Sequence, residues 1–195
     1  MDPRVTEFQC IMPMENIPSV LARGILSHEQ ASKVAHATVA MEVIQDKRDK
    51  KHVPGGLKLH QYANLYFHAR NPMMSKRRHE APKLCVLRVA SRVLGIKGAV
   101  ITDQNAASAY VRFHAPDQIG LLNFDSIFAR SWKHPEDQIK EWKHSSAKCA
   151  EVLIPHMVPP EAIEGAFVLN GTAKQSLSDV GFPLPISIDA DLFFH

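Results

Sequence analysis

The stretch Lys148-Cys149-Ala150-Glu151-Val152-Leu153-Ile154-Pro155 holds the first candidate for chemistry. Glu151 ends a polar segment of helical character and opens a short apolar run, Val152-Leu153-Ile154, that reads as a buried strand stopped by Pro155. A carboxylate at such a boundary is held by a rigid element and still reaches a cleft. Taken alone, it fits a solvated glutamate beside a strand at least as well. Two basic clusters, Asp46-Lys47-Arg48-Asp49-Lys50-Lys51-His52 and Ser75-Lys76-Arg77-Arg78-His79, read either as solvated turns or as contacts to a polyanion.

Other chemistries lack their motifs. Gly95-Ile96-Lys97-Gly98 is too short for a phosphate loop, so a dinucleotide, if bound, is not held by a Rossmann fold. His28 and His36 lie eight apart, as do His52 and His60, and no His-Glu-x-x-His occurs, so no metal is expected. There is no Gly-x-Ser-x-Gly elbow for a serine nucleophile.

Glu151 can act only if other elements position it. Asn16 as N-cap, Pro18 in the first turn and Gly24 as terminator frame a short helix with Ile17, Val20 and Leu21 on one face. Residues 29–51 hold helix formers, Val34, Val39, Met41, Val43 and Ile44, and break at Pro54-Gly55-Gly56, which predicts a long loop with one or two helical pieces. Strands are predicted at Tyr62 to Phe67, Leu84 to Val89, Ala99 to Thr102 and Ala166 to Leu169, with an edge strand at Ile186 to Ile188. Asn71-Pro72 reads as a turn, Asp103 as the cap of a helical turn over 105–108, and 111–122 as irregular. Helices are predicted over 135–150, with Ile139 and Trp142 on one face, and over 172–180, with a helical turn after Pro159-Pro160. Tyr66, Phe67, Trp132 and Trp142 read as packing residues, Tyr66 and Phe67 having base stacking as their alternative. Strands dominate the middle and helices the flanks, which gives an α+β domain.

Length and composition agree with that class. The 195 residues suit a single domain, 1–195, and an apolar share of 45% with 22% charged residues is ordinary for a globular protein. No apolar run approaches the roughly 20 residues of a membrane span, and Met1-Asp2-Pro3-Arg4 opens no secretory signal, so a cytoplasmic protein without a membrane partner is expected. Cys10, Cys85 and Cys149 are odd in number and far apart, as suits reduced thiols. A net charge of +3 permits a polyanionic partner without demanding one.

The ordered set of segments resembles the DarT family, bacterial toxins that transfer ADP-ribose from NAD onto bases of single-stranded DNA. The resemblance covers nearly the whole chain. It rests on Glu15-Asn16-Ile17-Pro18 with Gly24-Ile25-Leu26-Ser27, Arg48 followed by Val53-Pro54-Gly55-Gly56, and His60 to Phe67 with Arg70-Asn71-Pro72-Met73-Met74. Ile101-Thr102-Asp103 and Ala150-Glu151-Val152-Leu153 complete it.

The resemblance implies two facing sheets around a central NAD cleft, flanking helices and a mobile loop. It implies Glu151 as catalytic glutamate and Arg48 as essential arginine, gripping the NAD diphosphate or ordering the acceptor. Cys10, Met12, Asn16, Gly24, Leu26, Arg48 and Tyr62 would contact NAD, Tyr62 beside the nicotinamide. Lys76, Arg77 and Arg78, with Lys47, Lys50 and Lys51, would meet single-stranded nucleic acid. Cys10 and Ser75 stand where the family commonly has histidine and tyrosine. A carboxylate facing the anomeric carbon would stabilise the positive charge that develops as nicotinamide leaves, and no metal is needed. A toxin in a toxin-antitoxin or anti-phage system, with a macrodomain-type antitoxin, follows from the same likeness. The alternatives are the same transfer onto RNA and a degenerate member that binds without turnover.

Overall fold

The computed structural model describes residues 2–38 and 42–195; Val39 and Met41, expected to favour helix, lie outside them, as does the side chain of Val43. In chain order the elements are β1 (Glu7–Pro13), α1 (Ile17–Arg23), β2 (Ile25–Leu26), α2 (His28–Ala31), α3 (Glu42–Asp49), β3 (Tyr62–Tyr66), α4 (Pro72–Arg77), β4 (Leu84–Ala90), β5 (Val100–Thr102) and β6 (Phe113–His114). They continue as α5 (Phe124–Phe128), α6 (Gln138–Ala147), β7 (Glu151–Pro155), β8 (Met157–Val158), β9 (Ile163–Val168), α7 (Gly171–Asp179) and β10 (Ile186–Ile188). The α+β class is as expected.

Eight strands form one sheet in the order β10-β9-β4-β1-β3-β7-β5-β6, and β2 with β8 forms a separate ribbon. β1 pairs with β4 along seven residues but with β3 through one register pair, Gln9 with Tyr66. From that pair onward Cys10 to Pro13 pair with β4 alone, and Tyr62 to Leu65 with β7 alone. The two sheets expected are therefore two four-stranded halves joined at a single rung, and the space between them is where a ligand can enter. Gln9 also pins the junction with its side chain, whose Oε1 accepts from the Ala69 N–H at 2.7 Å.

The core explains why β1 escapes a reading by alternation. Phe8, Cys10 and Ile11 are buried on both faces, so its sequence shows no period of two. Phe67 meets Phe8 edge-on at 5.4 Å and Phe124 at 5.8 Å, tying β1, β3 and α5 into one apolar body. Phe67 and Trp132 are packed as expected, and Tyr66 is buried too.

Local structure departs from expectation at several points. Asn16 does not cap α1 with its side chain, because a 3-10 turn over Met14–Asn16 already leads into the helix. Its amide instead clasps the backbone of Ala37, donating to the carbonyl at 2.7 Å and accepting from the N–H at 2.9 Å. Asn71 and Pro72 do not make a simple turn; Asn71 Oδ1 accepts from the N–H groups of Met73 and Met74, and Pro72 opens α4. Asp103 bonds across to Arg112, and Asn105 caps the following turn. Within 111–122, expected to be irregular, Phe113–His114 pairs with β5 and Pro116–Leu121 is a 3-10 helix. α6 is shorter than 135–150, starting at the Asp137 cap, and its face of Ile139 and Trp142 is exposed.

Gly24 ends α1 at φ +83°, and a Cβ there would fall 2.1 Å from the Val158 carbonyl oxygen. Only glycine permits that approach, which lets Ile25 pair with Val158 and carries Leu26 toward the opened sheet.

Candidate active site

Where β1 and β3 part, a cavity of about 480 Å³ opens, walled by Cys10 to Pro13 on one side and by Tyr62, Asn64, Tyr66 and Glu151 on the other. Val34, His36, Ala37 and Thr38, in the stretch after α2, line it as well, and the size is ordinary for a small-molecule site.

Glu151 is the first residue of β7, in register with Tyr66, which is itself in register with Gln9. The carboxylate therefore stands on the row at which the halves separate. It is 1% exposed. Arg48 Nη1 donates to Oε1 at 3.2 Å and Oε2 at 2.9 Å, and the Ala106 N–H donates to Oε1 at 2.9 Å. Behind it, the Glu151 N–H donates to Thr102 Oγ1 at 2.9 Å, and that hydroxyl donates to the Gln104 carbonyl at 2.7 Å. Main chain and side chain are both fixed, and an ion pair this deep is held by charge-assisted bonds.

The negative charge reaches its neighbours. Burial, reinforced by Glu151, pushes the Tyr66 hydroxyl well above its ordinary range and the Cys149 thiol up to about 12. Burial also moves Cys10 up to about 12, so both cavity thiols are protonated at neutral pH and neither is a ready nucleophile. On the cationic side, burial and then Arg48 lower the Lys51 ammonium, and burial and then His60 lower the His28 imidazole.

The residues named from sequence converge to a large extent. Cys10, Met12, Asn16, Gly24, Leu26, Arg48, Tyr62 and Glu151 line this cavity, with Lys47 and Lys76. Tyr62 is buried, its hydroxyl accepting from the Leu57 N–H at 3.2 Å. Arg48 comes from the end of α3 and is 5% exposed, whereas Lys47 and Lys50 beside it are exposed. Lys50, Lys51, Arg77 and Arg78 do not line the cavity. Lys51 Nζ donates to the Ser108 carbonyl and lies 5.9 Å from the Phe113 ring, while Arg77 pairs with Glu80 at 2.8 Å. Arg78 and Lys50 are exposed.

Sequence reading assigned no role to Thr102, Ala106 or Asn64. Thr102 and Ala106 lie 49 and 45 residues from Glu151, and Ala106 acts through its backbone, so no side-chain pattern marks it. Asn64 had a signal, a lone amide inside an apolar strand, and it lies on the cavity wall.

The family model described as "ssDNA thymidine ADP-ribosyltransferase, DarT" matches residues 10–194. A DNA ADP-ribosyl transferase-DNA ADP-ribosyl glycohydrolase fusion protein of Thermosipho africanus is 27% identical over 205 residues, covering all of this chain but 51% of the fusion. The chain thus spans about half the length of that relative. A DNA ADP-ribosyl transferase of Thermus aquaticus is 26% identical, over 87% of this chain and 78% of its own. Thermosipho africanus DarTG in complex with ADP-ribose superposes with a TM-score of 0.81 at 25% identity, covering 97% of this chain and 51% of that one. Thermus sp. 2.9 DarT in complex with ADP-ribosylated ssDNA reaches 0.85 at 22% identity, over 98% of this chain and 97% of that one, a likeness of fold. With a family model matched over almost the whole chain and this sheet beneath it, the chain belongs to the DarT family of single-stranded-DNA thymidine ADP-ribosyltransferases.

Proposed function

We propose that this chain transfers ADP-ribose from NAD onto a thymidine base of single-stranded DNA and releases nicotinamide. The observation that carries this reading is the buried Glu151–Arg48 pair at the opening of the sheet, on the wall of a cavity lined by apolar and polar side chains together. NAD supplies the ADP-ribosyl group, with neutral nicotinamide leaving on the electron pair of the broken glycosidic bond. Glu151 faces positive charge developing at the ribosyl carbon and stabilises the transition state more than the ground state. In a thymidine nucleoside the one ring N–H is at N3, and Glu151 takes that proton as the nitrogen attacks. Thr102 and the Ala106 N–H hold the carboxylate in place. Arg48, bonded to the same carboxylate that takes the acceptor's proton, is assigned to ordering the acceptor.

Cys10, Met12, Asn16, Gly24, Leu26 and Tyr62 are assigned to NAD. Asn16 must release Ala37 to make its contact. Lys47 and Lys76 on the cavity wall, with Lys50, Lys51, Arg77 and Arg78, are assigned to the strand's phosphates. We further propose that the 195 residues work as one domain, that the chain acts in the cytoplasm, where its three free thiols stay reduced, and that it is a toxin, with a role in phage defence, opposed by a macrodomain-type partner. The fusion of transferase and glycohydrolase in the Thermosipho relative supports such a partner.

Incubation with NAD and single-stranded DNA or RNA oligonucleotides, followed by mass measurement, tests the reading. An added ADP-ribose on thymidine-containing DNA is expected, lost in Glu151→Gln. Modification of RNA alone would move the substrate assignment, and none on either would leave a binding protein.

A further inference from the structure

We propose that Trp142 is a stacking platform for a base next to the one that is modified, so that the indole sets affinity for the single strand; this rests on the reading of the chain as a DNA ADP-ribosyltransferase. α6 is a ten-residue helix with no fully buried residue. A surface helix ordinarily turns its apolar stripe to the core, whereas Ile139 and Trp142, one turn apart, are each 63% exposed. The indole is not simply displayed to solvent. Trp142 lines the same cavity as Glu151 and Arg48, beside Ser145, Ser146, Asn105 and Ser108.

The position is fixed. The Asn105 N–H donates to the Ser146 carbonyl at 3.0 Å, joining α6 to the loop whose Ala106 N–H holds Glu151. At the foot of the helix, Lys148 is buried and donates to the carbonyls of Ile127 at 2.9 Å and Ala129 at 2.7 Å. The platform therefore belongs to the same rigid assembly as the carboxylate. On the same helix Lys140 and Lys143 are exposed, while Glu141 is paired with Lys133 at 2.7 Å and Asp137 is taken up as the cap. With Lys47 and Lys76 on the cavity wall, these cations offer contacts to a phosphate backbone. A flat π face among cations is the chemistry that single strands use, since every base has a face and stacking is tolerant of sequence. Trp132, the other tryptophan, is 9% exposed and packs edge-on against Phe194 at 5.9 Å, so it has no such role.

The test uses the whole chain. Trp142→Ala is expected to raise KM for a thymidine-containing single strand about tenfold while shifting KM for NAD far less, and Trp142→Phe to recover much of the loss. Tyr110→Ala, at a residue that is 86% exposed but off the cavity wall, is expected to change KM for DNA little. Because Trp132 is buried, quenching of intrinsic fluorescence by an unreactive oligonucleotide reports on Trp142 and should vanish in Trp142→Phe. Failure of the wild-type chain to modify DNA would sink the reading of the activity. If the wild type modifies DNA and Trp142→Ala keeps its KM, or Phe serves no better than Ala, the platform is overturned.

Discussion

Glu151 and Trp142 line one cavity and are separated by nine positions of sequence, yet 1% of the first and 63% of the second meets solvent. Around Glu151, Arg48, Thr102 and Ala106 supply bonds to side chain and backbone, from α3, β5 and the loop after it. Around Trp142 stand the half-buried Asn105, Ser108, Ser145 and Ser146, with exposed Lys140 and Lys143 on its own helix and Glu141 between them paired to Lys133. A charge inside a protein is tolerated only when paired, so the inner wall must be completed by the fold and resists change. A rim that meets a flexible, solvated polymer gains from exposed faces and charges, and single changes there are graded in effect.

The largest expected break is Glu151→Gln. Transfer should fall by about 10²–10³-fold or more in kcat, because the amide keeps an acceptor for the Ala106 N–H but loses the charge. Stability should also drop, by about 2 kcal/mol in chemical denaturation, less than the about 3–5 kcal/mol of a sealed ion pair because the cavity admits water to Arg48. Near-normal transfer would remove Glu151 from the chemistry.

Arg48→Lys comes next. One guanidinium nitrogen spans both carboxylate oxygens, at 3.2 and 2.9 Å; an ammonium can keep that contact but has no second nitrogen to present to the acceptor at the same time, so kcat/KM should fall about 10–100-fold. Equal activity would make the residue a generic charge.

Lys148 joins wall to rim, and its burial lowers the ammonium to about 8. Its folded value lies below the ordinary 10.5, so the unfolded chain binds the extra proton between these limits. The penalty for burying the charge is full below pH 8 and fades as pH rises toward 10.5. Wild type should therefore gain stability relative to Lys148→Met from pH 7.5 to 10, by up to about 3 kcal/mol in urea denaturation. A flat difference would mean that the folded amine stays charged across that range, as it does in the unfolded chain.

The smallest effect belongs to the rim. Lys76 and Arg78 are exposed at the end of α4, and replacing both with Gln should flatten log affinity against log salt for single-stranded DNA by up to about 1.4 units, at about 0.7 per contact. Arg77 is left in place because it pairs with Glu80. An unchanged slope would shift the phosphate contact to Lys47 and Lys50.

The amino-acid sequence by itself determined the α+β class, most strand positions and the ends of α1, because alternation, proline and glycine act locally. Glu151 could be picked out as a boundary carboxylate, and the order of its motifs carried the likeness to DarT. What it could not show was β1, whose burial on both faces erases alternation, nor the single rung between Gln9 and Tyr66 from which the sheet opens. Only the tertiary structure brought Arg48 103 positions along the chain to Glu151, set Thr102 and a backbone N–H behind it, and left Trp142 at the rim. Those are long-range pairings between chemically ordinary residues, and nothing in their local sequence distinguishes an arginine among lysines that is solvated from one that is buried against a carboxylate.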